Sequence, residues 1–153
     1  MTPRLVNRDF RCSNCGNYIL VLPSISAVNN RNHCPYCLWS RHLDLVTAGD
    51  RLSACKAPMQ PLGLTMKPGR NRYAQTGGEL MLVHACVGCS RLSINRIAAD
   101  DDADRLLEIF FASCKLPPGT RGRFLSAGIR LLKHSQAGVV QKQLLGNCTL
   151  SFA

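Results

Sequence analysis

Apolar positions come in short runs over the first hundred residues and in longer, helix-spaced clusters after that. "YILVL" (18–22), "ELMLVHA" (79–85) and "RLSINRIA" (91–98) are bounded by Gly, Pro, Asn and charged residues, and are predicted to be strands. Between them, "APMQPLGLTMKPGRNRYAQTGG" (57–78) is rich in Pro and Gly and predicts a long surface loop. "DDDADRLLEIFFASC" (100–114) opens with acids and then clusters Leu106, Leu107, Ile109, Phe110 and Phe111. Acidic residues favour a helix N-terminus through the macrodipole, so a helix is expected there. "KLPPGTRG" breaks the chain, and "RFLSAGIRLLKHSQAGVVQKQLL" (123–145) predicts a basic amphipathic helix weakened by Gly128 and Gly138.

The chain has 153 residues with five Phe, three Tyr and one Trp, so a domain this poor in large side chains gains from a staple. Nine cysteines supply candidates. The opening "MTPRLVNRDFRC" has no apolar signal region, and no apolar run approaches twenty residues. A cytoplasmic location with reduced thiols is therefore expected. With an odd cysteine count, that favours metal ligation over disulfides.

Three pairs have the form C-x-x-C: Cys12/Cys15, Cys34/Cys37 and Cys86/Cys89. A two-residue gap lets both thiolates face one ion while backbone N–H groups of the turn stabilise their charge. Gly16 follows the second cysteine of "CSNCGN", where such a turn calls for positive φ. In "CPYC", Pro35 sets the turn. Cys12, Cys15, Cys34 and Cys37 give C-x₂-C-x₁₈-C-x₂-C, the spacing of a closed four-thiolate zinc site. Iron of rubredoxin type is the alternative metal. For the third pair, Cys55 supplies another thiolate. His84 precedes Cys86 by two, a spacing that puts both on one face of a strand. Cys55, His84, Cys86 and Cys89 are the expected second site, which makes two zinc ions in all. His42 or His33 in place of His84, and a metal-free redox pair, stand as alternatives. Cys114 and Cys148 fall outside any pairing and read as free thiols.

The densest stretch is "RNHCPYCLWSRHLD" (31–44). Neighbouring side chains on extended backbone diverge, so His33 suits the ion of Cys34 poorly. That leaves Arg31, His33, Arg41 and His42 for bonds to thiolates or Asp44, or for phosphate contact, with Tyr36 and Trp39 available for base stacking. Core packing is the competing role for Trp39.

Charge changes the picture of the partner. The net charge is +10, with acids concentrated in residues 100–112 and no acid at all in residues 113–153. Such a balance suits a polyanion. Arg31, His33, Arg41, Lys67, Arg70 and Arg72 are the candidate nucleic-acid contacts, RNA before DNA. A zinc deaminase would need an H-x-E motif, which is absent. An open second site with Glu79 or Asp44 nearby would suit a zinc-dependent hydrolase, the third choice; no catalytic residue is assigned.

These residues carry a family resemblance. "RNHCP" at 31–35, "FRCSNCG" (10–16), "GDRLSACKAPMQP" (49–61) and "HACVGCSRLSINRIAADDD" (84–102) fall in the order seen in the RNHCP domain family, over roughly residues 9–112. The resemblance implies a zinc-ribbon-type module in which Cys12, Cys15, Cys34, Cys37, Cys55, His84, Cys86 and Cys89 belong together. It adds His33, His42 and Asp44 as motif positions. Family members typically carry Gly after the last cysteine, where this chain has Ser90.

The expected architecture is a small, metal-stapled, mainly β zinc-ribbon-like domain with C-terminal helices (α+β). It divides into a lead-in (1–10), a zinc-binding ribbon (11–99), an acidic-start helix packed on it (100–112) and a basic helical extension (113–153). The expected role is non-catalytic binding of RNA or an RNA-rich assembly such as the ribosome. A DNA-associated or protein-docking zinc module is the alternative.

Overall fold

The computed structural model describes residues 9–28, 31–46, 50–68 and 78–146. Its centre is a four-stranded antiparallel sheet in the order β3-β4-β5-β6, formed by β3 (Ser40–Arg41), β4 (Pro58–Lys67), β5 (Glu79–Cys86) and β6 (Leu92–Arg96). A separate two-stranded ribbon, β1 (Phe10–Arg11) with β2 (Tyr18–Ile19), precedes it, followed by a single turn of helix, α1 (Pro23–Ser26). The C-terminal part is helical: α2 (Ala103–Cys114), α3 (Pro118–Ser126) and α4 (Ala137–Leu145). The result is the metal-stapled α+β arrangement expected.

Pro58–Lys67 overturns one expectation. The Pro- and Gly-rich segment begins not as a loop but as the longest strand. Proline tolerates a strand only at edges, ends or bulges. Pro58 is the first residue of β4, opposite Arg41, and Pro61 sits where the register shifts before Gly63. Leu64 and Leu82, paired across the strands, are fully buried.

The long C-terminal helix is the second correction. It is two helices separated by an extended segment. Gly128 takes φ +81°, a left-handed conformation that ends α3, and Leu131 and Leu132 lie along the edge of β4. The N–H of Leu132 donates to the carbonyl of Leu64 (2.9 Å). Among the described residues β3 pairs only with the first two residues of β4, and the Leu131–Leu132 segment covers part of the edge beyond them. Arg121 then ties the pieces together, donating to the carbonyls of Ser113, Leu131 and Leu132.

The main core joins Leu38, Leu64, Leu80 and Leu82 to Leu106, Ile109 and Phe110 of α2, with Leu132 and Val140 from the C-terminal segment. As expected, α2 starts among acids: Asp102 is its N-cap and accepts from the N–H of Arg105 at 3.0 Å. A second, smaller core of Phe10, Cys12, Ile19, Val21 and Cys34 packs around the ribbon. Among the described residues, no helix is long and apolar enough to cross a membrane.

Candidate metal centres

The three C-x-x-C pairs fold into one repeated turn. The N–H of Cys12, Cys34 and Cys86 donates to the carbonyl five residues on, in Asn17, Trp39 and Arg91, at 2.8–2.9 Å. The carbonyl of the same cysteine accepts from the N–H four residues on, in Gly16, Leu38 and Ser90, at 2.9–3.0 Å. Each of those last three residues has positive φ: +78°, +66° and +65°. The expected left-handed Gly16 is therefore present. Ser90 keeps the turn by adopting the conformation a glycine would take.

Two of these turns close on each other. Cys12 Sγ lies 3.5 Å from Cys37 Sγ, Cys15 Sγ lies 3.6 Å from Cys34 Sγ, and all four sulfurs are within 4.8 Å of one another. A tetrahedral ion with ligand bonds of about 2.3 Å needs sulfurs about 3.8 Å apart, whereas a disulfide needs about 2.05 Å. The spacing fits an ion and not a bridge. Burial pushes the Cys34 and Cys37 thiols up. Cys15 is drawn down to about 7, because its bonds from the backbone and side chain of Asn17, with help from Cys34 and Cys12, outweigh burial. Positive charge from a metal would favour the thiolate form of all four.

The second cluster is Cys55, Cys86, Cys89 and His42, again all within 4.8 Å. Cys55 Sγ lies 3.6 Å from Cys86 Sγ, and His42 Nδ1 lies 3.3 Å from Cys89 Sγ. Cys86 is lowered to about 6: burial raises it, but the N–H groups of Cys89 and Gly88, then His42 and Cys55, win. Gly88 makes this approach possible, since a Cβ there would stand 2.8 Å from Ala57 Cβ and 3.3 Å from Cys55 Sγ.

His84 is not in the cluster, which corrects the expected donor set. It is fully buried, with Nε2 donating to the Leu38 carbonyl (2.7 Å) and Nδ1 accepting from Asn95 Nδ2 (2.9 Å). Burial holds this imidazole neutral, its pKa down to about 3, with the bond to Leu38 opposing. The same-face rule holds along a regular strand, but Cys86 is where β5 turns into its knuckle. His42 arrives instead because β3 is followed by a backbone pairing: its N–H donates to Ala57 (3.0 Å) and its carbonyl accepts from Lys56 (3.2 Å), beside Cys55. Both clusters offer four protein donors, which closes the coordination shell of a tetrahedral zinc. Fold and clusters together are those of a structural zinc-binding module.

The expected nucleic-acid residues divide. Arg31 is buried, its guanidinium on Asp100 (2.6 Å) and Asp101 (2.9 Å) and its Nε on the His33 carbonyl (2.9 Å). His33 Nε2 meets Asp101 Oδ2 at 2.7 Å. Neither presents a face to phosphate, so both are corrected: they anchor the 31–35 stretch to the loop before α2. Nothing in the sequence signals that pairing across some seventy residues except the acids themselves, which read as helix-start residues. Arg41 is half-buried with its guanidinium over the Phe10 ring (3.7 Å), and Lys67 is exposed. Arg70, Arg72 and Cys148 lie outside the described residues. Tyr36 is exposed and Trp39 half-buried.

The RNHCP domain profile matches residues 7–107. No curated protein and no solved structure significantly matches the chain. The match spans all eight donors of the two clusters and stops inside α2.

Proposed function

We propose, from the premise that this chain belongs to the RNHCP domain family, that it is a non-catalytic zinc module whose basic C-terminal region binds RNA. Zinc would sit in the Cys12–Cys15–Cys34–Cys37 set and in the His42–Cys55–Cys86–Cys89 set. Its contribution is to hold the ribbon and the knuckles in place, since four protein donors leave no position for a reacting water.

The observation supporting RNA is the charge of the C-terminal segment. Lys115, Arg130, Lys133 and Lys142 are exposed, and residues 113–153 contain no acid. Two cations of the same segment have bonds of their own: Arg121 to its three carbonyls and Arg123 to the Ser90 carbonyl (2.6 Å). The four remaining charges, like Lys67 on the sheet, are exposed, which suits phosphates rather than a buried acidic partner. Exposed Tyr36 offers a stacking face, which favours single-stranded RNA over a duplex.

The test is the salt dependence of binding to a single-stranded RNA, followed by fluorescence anisotropy. Replacing Lys115, Arg130, Lys133 and Lys142 by Gln should weaken binding. It should also flatten the log–log slope by about 0.7 for each phosphate that is no longer neutralised. Equal affinity and slope in the variant and the wild type overturn the RNA reading. A partner bound with no salt dependence favours protein docking.

A further inference from the structure

We propose that the groove between α3 and residues 129–133 binds an aliphatic carboxylate. The groove holds a cavity of about 350 Å³, at the small end of the range of small-molecule sites. Gly122 and Leu125, three apart on one face of α3, form one wall, and Ile129 and Leu131 form the other. Leu131 is buried, Ile129 half-buried and Leu125 56% exposed. A Cβ at Gly122 would meet no atom within 4 Å, so the space beside that turn is open. Aliphatic surface left uncovered along a concave wall gains from a ligand that removes it from water.

Charge sets the polar end of that ligand. Arg121, Arg130 and Lys133 line the same cavity, and no acid does. The half-buried Arg121 donates to the carbonyls of Ser113, Leu131 and Leu132 at 2.8–3.2 Å, which satisfies its N–H groups without cancelling its charge. Arg130 and Lys133 are exposed and have no ion pair among the described residues. Residues 113–153 contain no acid, so the segment supplies no counter-charge of its own. The complement of three cations around an aliphatic groove is an anion with an aliphatic body.

The wall also decides against larger occupants. No aromatic ring lines the cavity, so a nucleobase has nothing to stack on. The carbonyls of Leu131 and Leu132 are taken by Arg121 and do not serve a base edge. An amphipathic peptide helix needs anchor positions over two turns, whereas the wall from Gly122 to Leu125 is a single turn. One aliphatic chain fits, and a terminal carboxylate matches the fork of a free guanidinium such as Arg130. The lining residues lie beyond the 7–107 profile match, so the groove belongs to the C-terminal part of this chain. The proposal does not rest on the RNA reading, but it shares Arg130 and Lys133 with it, and a bound carboxylate would compete with RNA for those charges.

The experiment uses the full chain loaded with zinc and labelled with ¹³C at the Leu and Ile methyl groups. Octanoate, octan-1-ol and acetate are titrated separately while the Leu125 and Ile129 methyl resonances are followed. Octanoate should shift both saturably, and the uncharged alcohol and the chainless acetate should each bind about tenfold more weakly or not at all. Arg130→Gln with Lys133→Gln should weaken octanoate by about tenfold and leave octan-1-ol unchanged, as expected for two partly screened charge contacts. Gly122→Leu should fill the groove and block octanoate, with an unchanged melting curve showing that α3 is intact. Absence of a saturable octanoate shift overturns the proposal. So does equal binding of octanoate and octan-1-ol, or octanoate binding that neither variant changes. A shift produced by vesicles of anionic phospholipid but not by octanoate overturns it in favour of a membrane surface. The RNA reading is scored separately: Gly122→Leu keeps all four exposed cations, so its RNA affinity by fluorescence anisotropy should equal that of the wild type whether or not octanoate binds.

Discussion

His42 Nδ1 lies 3.3 Å from Cys89 Sγ, although the two residues stand 47 positions apart and His84 is far closer in sequence. The short distance places His42, not His84, with the three thiols of the second candidate cluster. Zinc-loaded protein should hold two ions per chain by elemental analysis. His42→Ala should lower that to one. His84→Leu should keep two but reduce stability by about 1–3 kcal/mol for each abandoned partner, the Leu38 carbonyl and Asn95 Nδ2. The opposite pattern of metal loss would return His84 to the donor set.

Cys34 is both a sulfur donor and a fully buried member of the small core. A structural zinc contributes roughly 10–16 kcal/mol of apparent binding free energy, about the whole stability of a small domain. Cys34→Ser should cost one ion and abolish the cooperative thermal transition seen by circular dichroism. A variant that keeps both ions and a wild-type melting curve would mean that the first cluster is not a structural site.

Arg31 and Asp101 form a pair whose side chains are both fully buried. Removing one partner of such a pair strands the other charge and typically costs about 3–5 kcal/mol. Arg31→Ala should therefore destabilise the zinc-loaded protein by about that much in urea titration. Arg31→Ala with Asp101→Asn should recover part of the loss. A simple surface arginine would show neither effect.

Ser90 holds φ +65° in an exposed position where left-handed backbone costs a non-glycine residue about 1 kcal/mol. Ser90→Gly should raise stability by roughly 0.5–1 kcal/mol, part of the gain being offset by the freer unfolded chain. Gly88→Ala should do the reverse, since its Cβ would press on Ala57 and Cys55 Sγ. The second variant is expected to bind its second zinc more weakly, measured by competition with a chelator.

The first metal site was legible in the chain itself. C-x₂-C-x₁₈-C-x₂-C states four donors and their turns in local terms, because each knuckle closes through hydrogen bonds no more than five residues apart. The start of α2 and the body of β5 were legible for the same reason: caps and runs of buried residues are short-range patterns. Segment 57–78 misled because Pro and Gly argue against a strand locally. The prolines fit only through the register of β4 against its neighbours, which places Pro61 at a bulge.

What the tertiary structure decided is which distant groups meet. His42 reaches Cys89 because β3 and the residues after it pair with the chain at Lys56–Pro58, and His84 is turned to the Leu38 carbonyl by the same sheet. Arg31 and His33 meet Asp101 across about seventy residues, turning two apparent phosphate ligands into internal ties. Leu131 and Leu132 leave their helical pattern because an open edge of β4 offers their backbone hydrogen bonds and the core offers their side chains burial. Spacing along the chain carries local geometry. Partners chosen by burial and by unsatisfied backbone groups exist only once the sheet has brought them together.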